Sequence, residues 1–126
     1  MRIGTDENFL SIERDSHEGG YPVFHAEAVS IASGRKFTAS HDRLMLDTSE
    51  AVAKSFSDFQ SHKSEYAEIP LSESGWLRFS RDNRGYIAVN YRIAGWKSSV
   101  AVEGEIYVEG EFTNRFCREI IELLRS

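Results

Sequence analysis

Apolar and polar residues alternate in three runs between Leu77 and Val108, and this two-residue period constrains the fold more than any other feature of the sequence. The first run contains Leu77 and Phe79, and a polar stretch with one glycine separates it from the second run. The apolar positions of the later runs are Ile87, Val89, Tyr91 and Ile93, then Val100, Val102, Ile106 and Val108. Successive side chains of a strand point to opposite faces, so the pattern predicts a three-stranded antiparallel meander with one buried face.

The register of the second hairpin of this meander is predicted from its turn. A two-residue loop made of Gly95 and Trp96 has glycine in the first position, as a type II′ turn requires. This loop would place Tyr91 opposite Val100 and give the other apolar residues apolar partners. Because a slip of one residue would set apolar against charged residues, we expect a well-specified register.

Residues 22–42 have the same two-residue period and predict two further strands, joined by a turn at Ser33 and Gly34. More than one register closes this turn, and the sequence does not choose between them. The stretch 15–20 is rich in glycine and polar residues and predicts a surface turn, which follows a short apolar strand around Phe9.

Two helices are predicted from capping residues and apolar stripes. The first runs from Asp47 to Lys63, where Asp47 followed by Glu50 has the character of a capping box. The second closes the chain and has Thr113 or Asn114 as its N-cap. The apolar stripes of the two helices are Val52, Phe56 and Phe59 in the first, and Phe116, Ile120, Ile121 and Leu124 in the second.

These elements together predict a single α+β domain over residues 1–126, with no linker. Their order is three strands, a helix, three or four strands and a closing helix. We expect about six strands in one antiparallel sheet, with the two helices packed on one face of it.

Charge and cysteine content exclude several classes of protein. The chain has 15 Lys and Arg against 20 Asp and Glu, and the net charge of −5 argues against binding to nucleic acid or to an anionic membrane. Its one cysteine, Cys117, cannot form an internal disulfide. The first residues lack the apolar segment of a signal peptide, and no apolar run approaches the ~20 residues of a membrane span. We therefore expect a cytoplasmic protein.

The sequence contains no motif for catalysis or cofactor binding. Its four histidines lack metal-ligand spacing, no nucleotide-binding glycine loop occurs, and Cys117 lies on the apolar face of the last helix, as a buried inert thiol does. We predict no catalytic residue, no cofactor and no metal. One alternative stays open: His25, Glu27 and His41 share a face in some pairings of their strands and would then line a pocket for a small ligand or substrate.

One stretch of the chain carries most of the net charge. Between Ser98 and Asn114 there are four acids and no Lys or Arg, whereas residues 76–97 carry five bases and one acid. All four acids occupy odd positions, on the strand face opposite the apolar residues. These acids are Glu103, Glu105, Glu109 and Glu111.

Aromatic residues fall on the same predicted outer face as these acids. Aromatic side chains ringed by charge are typical of binding hot spots. We therefore predict a protein-binding surface, and its residues are Trp76, Tyr86, Glu103, Glu105, Tyr107 and Glu109. The alternative is a solvated face that holds only cross-strand charge pairs. The chain itself would be a monomer or a weak homodimer through the last strand of the meander.

Three segments share their pattern of strands and helices with a group of bacterial proteins. They are residues 34–37 followed by the helix with Phe56 and Phe59, residues 77–89, and residues 111–113 with the closing segment 120–124. Over most of its length beyond about Tyr21, the chain resembles small WapI-type immunity proteins and related domains associated with polymorphic toxins. The resemblance implies a non-enzymatic protein that binds and blocks one cognate toxin. An acidic surface would suit a basic toxin domain, such as a nuclease.

Overall fold

The computed structural model describes residues 1–18, 21–95, 97 and 99–125. The first half of the chain contains β1 (Arg2–Gly4), β2 (Asn8–Glu18), β3 (Tyr21–Ala32), β4 (Arg35–Leu44) and α1 (Glu50–Gln60). The second half contains β5 (Tyr66–Leu71), β6 (Gly75–Arg81), β7 (Ile87–Ala94), β8 (Ala101–Val108) and α2 (Thr113–Leu124). Within these residues, neither helix combines the length and the apolar content that a membrane crossing needs.

The strands form two four-stranded antiparallel sheets, in the orders β1-β2-β3-β4 and β5-β6-β7-β8. The α+β class is confirmed, but the prediction of one antiparallel sheet of about six strands is wrong. Alternation shows which side chains share a face and not which strands pair, so the sequence could not divide the strands between two sheets. The sheets meet where Leu46 bridges Leu71 and the Asp47 N–H donates to the Pro70 carbonyl over 2.9 Å, and β1 of the first sheet also contacts β8 of the second.

One continuous core contains side chains from both sheets and both helices. The ring of Phe79, on β6, lies with its centroid 5.3 Å from that of Phe56, 6.2 Å from that of Phe59 and 5.8 Å from that of Phe116. Because Phe56 and Phe59 belong to α1 and Phe116 to α2, both helices pack on the inner face of the second sheet. The prediction that the first helix packs two phenylalanines onto a sheet is confirmed.

The predicted helix starts are shifted by local hydrogen bonds. α1 begins at Glu50 and not at Asp47, because Ser49 is the N-cap and its hydroxyl accepts a 3.4 Å hydrogen bond from the Val52 N–H. The Asp47 carboxylate instead accepts a bond from the Ser49 N–H over 2.9 Å. α2 begins at Thr113 with no side-chain cap, so the cap predicted there is wrong as well.

The hairpin of β3 and β4 has a two-residue turn, and this fixes the register that the sequence left open. Ala32 pairs with Arg35, and the turn residues Ser33 and Gly34 have φ angles of 53° and 72°. Positive φ at both central positions is the signature of a type I′ turn, whose twist matches that of the flanking strands.

Two other strand boundaries differ from the prediction. β2 extends to Glu18 and β3 begins at Tyr21, so residues 15–18 of the predicted turn belong to a strand, and Gly19 and Gly20 lie outside the described residues. β5 is the additional fourth strand of the second sheet, and it contains Pro70. It lies at the sheet edge, which is where a strand tolerates proline.

The register of β7 and β8 corrects the predicted hairpin. Tyr91 lies opposite Gly104 and not opposite Val100, a shift of four residues (104 against 100). A Cβ on Gly104 would lie 2.4 Å from the Tyr91 ring, so only glycine leaves room for this ring. Val100 is 71% exposed in the longer loop, and Trp96 of the predicted turn lies outside the described residues.

Replacing Gly104 with alanine tests this register. We expect Gly104→Ala to lower the free energy of unfolding by about 1–3 kcal/mol, because the buried Tyr91 ring must move away from the new methyl group. Urea denaturation measures the change. Gly110→Ala is the matched control, because its Cβ would approach Tyr86 no closer than 3.9 Å. In a Tyr91→Leu background the cost of Gly104→Ala should largely vanish, and an equal cost in both backgrounds would contradict the proposed contact.

Candidate functional site

The outer face of the second sheet carries three rows of side chains, each with one residue from every strand. We use the name outer face for these twelve residues. The rows are Pro70, Trp76, Arg92 and Glu103; Glu68, Arg78, Asn90 and Glu105; and Tyr66, Ser80, Ala88 and Tyr107. The structure therefore brings four of the six predicted binding residues onto one face. The predicted register of the meander set Trp76 near Asn90, but Trp76 lies opposite Arg92.

Charged groups surround Trp76 in an order that crosses all four strands. The guanidinium carbons of Arg78 and Arg92 lie 3.8 Å and 5.6 Å from the indole ring centroid. Arg78 Nε donates to Glu68 Oε1 over 2.6 Å, and Arg92 Nη1 donates to Glu103 Oε1 over 3.0 Å. The Trp76 indole therefore has two arginine guanidiniums next to it, and each guanidinium is neutralised by a glutamate.

The hydrogen bond with Glu68 raises the pKa of Arg78, against a smaller opposing effect of burial. The Arg78 guanidinium therefore stays charged, and both arginines of the outer face are bound to glutamates of the outer strands. Because Arg92 binds Glu103, the acidic stretch predicted from the sequence is neutralised at the start of β8. Its remaining negative charge lies toward the end of β8.

The end of β8 carries the exposed acids of the site. Glu105 lies opposite the uncharged Asn90, and Glu109 and Glu111 follow β8 at exposed positions. The Tyr107 hydroxyl donates a hydrogen bond to Glu105, which raises the pKa of this tyrosine. An exposed aromatic side chain thus lies beside one of these carboxylates, and the other two follow it closely in the sequence.

The other basic residues of the 76–97 stretch do not form a patch beside the acids. Arg81 Nη2 donates to the Phe59 carbonyl over 2.9 Å, on the inner side of the sheet. Arg84 pairs with Asp82 in the turn that follows β6, with the two side chains 3.3 Å apart. Arg78 and Arg92 therefore stay together at Trp76, whereas the fold separates Arg81 and Arg84 from them.

Tyr86, the fifth predicted binding residue, is positioned by the turn between β6 and β7. Asp82 Oδ1 accepts hydrogen bonds from the N–H groups of Arg84 (2.8 Å) and Tyr86 (3.0 Å). Burial raises the pKa of the Asp82 carboxyl, but these two bonds and the Arg84 guanidinium outweigh it, so the pKa is lowered. The guanidinium of Arg84 lies 4.7 Å from the Tyr86 ring centroid. Tyr86 therefore lies beyond the rows of the outer face, near Gly110.

A shallow cavity of about 320 Å³ lies on the outer face. Its lining includes Tyr66, Trp76, Arg78, Asn90 and Glu103. Aromatic rings, two kinds of charge and an amide therefore converge on one depression, which is a surface suited to specific polar contacts.

A larger cavity of about 620 Å³ lies between the segment around β1 and the start of α2, and the sequence did not predict it. It includes Tyr107 and Glu109 of the predicted surface together with Arg2, Asp6, Phe112 and Arg115. Phe112 is exposed and directly follows the acidic stretch. An apolar residue next to these acids is the one signal in the sequence that could have indicated that the binding surface continues into this cavity. Its walls come from opposite ends of the chain, and the sequence pattern does not show that these ends meet.

The alternative pocket at His25, Glu27 and His41 is not assembled. His41 pairs with Ala26 of β3, so the His41 side chain lies on the same face of the sheet as Ala26. His25 and Glu27 are the neighbours of Ala26 in the strand, so their side chains lie on the opposite face. His25 Nδ1 instead lies 3.0 Å from Asp42 Oδ1. In the part of the chain that the structure describes, no group of three or more His, Cys, Asp or Glu side chains could hold a metal ion.

Cys117 is buried in the core, as the sequence predicted. Burial raises the pKa of its thiol, and the nearby Arg81 opposes this shift without cancelling it. A buried thiol with a raised pKa is a poor nucleophile, so its contribution is to packing.

No family model, no curated protein and no solved structure matches the chain. The resemblance to WapI-type immunity proteins therefore stays a prediction. The geometry of the outer face and the acidic end of β8 is the structural basis for a functional proposal.

The lowered pKa of Asp82 predicts how the turn below Tyr86 responds to pH. A carboxyl whose pKa is lowered by folding stabilises the native state above its unfolded pKa of about 3.9, and this stabilisation is lost as the pH falls through the folded value. Asp82→Asn should therefore reduce the free energy of unfolding at neutral pH and have progressively less effect below about pH 4. Urea denaturation of both proteins across this range measures the difference.

Glu7→Gln is the matched control, because Glu7 is an exposed acid in the loop between β1 and β2. We expect it to change stability by no more than about 0.5 kcal/mol at any pH of the series. A destabilisation by Asp82→Asn that stayed constant down to the acidic end would show that the charged carboxylate is not what holds the turn.

Proposed function

We propose that this chain is a non-enzymatic binding protein that neutralises a basic bacterial toxin domain in the cytoplasm. Its binding surface would be the outer face together with the acidic end of β8. The observation that carries the proposal is Tyr107, which is 58% exposed and lies beside Glu105, in a stretch of chain that continues with the exposed acids Glu109 and Glu111.

The aromatic residues of the outer face provide apolar area for a partner. Tyr66 on β5 and Tyr107 on β8 are 49% and 58% exposed, and they lie in one row with Ser80 and Ala88 between them. Two large rings above a floor of small side chains form a shallow trough. Strands lie about 4.8 Å apart, so three spacings make the trough roughly 14 Å wide, enough for a partner's helix or hairpin to enter.

Trp76 adds a pre-organised contact next to this trough. The guanidiniums of Arg78 and Arg92 lie over its ring, and both are held by carboxylates. A side chain that is already ordered in the free protein loses little conformational entropy when a partner covers it. Trp76 therefore suits the role of an anchor.

The charge distribution supports a basic partner. The acids at the end of β8 are exposed, while the arginines of the outer face are neutralised by glutamates. Exposed acids of one sign accelerate encounter with a basic domain and disfavour acidic partners. This agrees with the resemblance to immunity proteins, which implies a single cognate toxin as the partner.

A charge-reversal pair tests the proposal. The probe is the basic domain of the toxin that the proposal expects to be encoded directly beside this chain. Glu105→Lys with Glu109→Lys should lower its association rate constant by roughly ten-fold or more at low salt, because electrostatic steering is lost. Stopped-flow mixing at several salt concentrations measures the rate, and the difference should shrink as salt screens the charges.

The matched control is Glu7→Lys with Glu50→Lys, two exposed acids away from the outer face that change the net charge equally. We expect it to leave most of the association rate intact. Protection of cells that produce the toxin domain gives a second readout. If the wild-type chain neither binds that domain nor protects the cells, the proposed function is wrong. Equal effects of the two variants would place the binding surface elsewhere.

A further inference from the structure

β4 is an edge strand of the first sheet, and its residues 35–42 are exposed or half-buried. β4 has ten residues and pairs only with β3 in the sheet order. Residues 35–38 are all exposed, and so are Ser40 and Asp42. An edge strand of this length presents a row of backbone groups that can pair with another strand.

The hydrogen bonds of β3 show which backbone groups of β4 point outward. The Ile31 N–H donates to the Glu7 carbonyl over 2.7 Å, on the side of β3 away from β4. Ile31 and Lys36 are therefore a non-hydrogen-bonded pair, and the two-residue turn gives the same result. By alternation, the N–H and C=O groups of Lys36, Thr38 and Ser40 point to the open edge.

We propose that β4 pairs antiparallel with β4 of a second copy of this chain, about a two-fold axis at Ala39. In this register Thr38 of one copy exchanges hydrogen bonds with Ser40 of the other, and both residues present outward backbone groups. The first sheets of the two copies would then join into one continuous eight-stranded sheet. This surface is distinct from the outer face of the second sheet, so the inference does not depend on the proposed function.

Charge complementarity selects this register. It sets Lys36 opposite Asp42 of the second copy, and the two-fold axis makes the contact twice. Lys36 shares a face with Ile31, its partner on β3, and Asp42 lies on the face of His25, whose ring nitrogen is 3.0 Å from its carboxylate. Ile31 and His25 are both odd positions of β3, so Lys36 and Asp42 project from the same side of the sheet. The neighbouring register, centred on Thr38, gives Lys36 only Ser40.

The pairing also covers a largely exposed aromatic ring of the first sheet. Phe37 is 70% exposed, and the register sets it opposite His41 of the second copy. Ala39 lies between these residues at the axis, so each Phe37 ring can pack across a small side chain. Aromatic cross-strand pairs on one face stabilise antiparallel sheets.

The dimer should be weak. Regular pairing ends near Asp42, because a bulge interrupts β4 between its pairs with Ala26 and Phe24. The same register also brings Arg35 toward Arg43 of the second copy, which opposes association. About seven residues per copy form a contact smaller than standard stable interfaces, so dimerisation should depend on protein concentration.

Sedimentation equilibrium over a wide range of concentration tests the inference. We expect a monomer–dimer equilibrium for the wild-type chain. Lys36→Asp should raise the dissociation constant by roughly ten-fold, because both symmetric charge pairs become repulsive. Combining Lys36→Asp with Asp42→Lys should restore dimerisation, because the swap recreates both pairs.

A backbone variant gives an independent readout. Thr38→Pro removes an N–H that points to the open edge and is not used between β3 and β4, so it should abolish the dimer and keep the fold, as measured by circular dichroism. Thr38→Val keeps the N–H and should dimerise like the wild type. A wild-type chain that stays monomeric throughout, or charge variants without effect, would overturn the inference. Loss of the dimer in Glu105→Lys with Glu109→Lys alone would place the contact on β8 and also overturn it.

Discussion

The inward position of Phe79 is the constraint on which the second sheet and both helices depend. Its ring contacts Phe56 and Phe59 of α1 and Phe116 of α2, so one residue of β6 joins three elements. Side chains alternate along a strand, and an inward Phe79 therefore forces Arg78 and Ser80 outward. The core thus determines which residues of β6 are available to a partner, and the functional proposal rests on the same packing as the stability.

Alternation let the sequence predict faces correctly even where it predicted pairs wrongly. The predicted hairpin set Tyr91 opposite Val100, and the observed partner is Gly104. A shift by an even number of residues keeps every side chain on its own face, so Glu103, Glu105 and Tyr107 still reach the outer face. The partners changed because the Tyr91 ring needs the space that a side chain at Gly104 would fill. Such close packing has no signature in a two-residue period.

The features that the sequence did not predict depend on contacts between distant segments. Glu68 neutralises Arg78 only because β5 pairs with β6, and the proline in β5 obscured that strand. The larger cavity joins residues around β1 to Phe112 and Arg115 near the start of α2. The negative charge predicted along β8 is also changed by a contact with another strand. Arg92 of β7 neutralises Glu103 at the start of β8, so the uncompensated acids lie toward its end. Local sequence patterns therefore predict the strands and helices, whereas the charge pairs and cavities of the surface depend on how these elements pack together.

The edge of β4 must be protected against uncontrolled pairing, as any edge strand must. Charged residues on an edge strand oppose uncontrolled pairing, and Lys36 is such a residue next to the uncharged stretch from Phe37 to Ser40. Lys36 disfavours most registers with a second strand because it meets no acid there. The pairing centred on Ala39 is the exception, and its two-fold symmetry uses both open edges at once. The same charge can therefore limit aggregation and select one closed dimer.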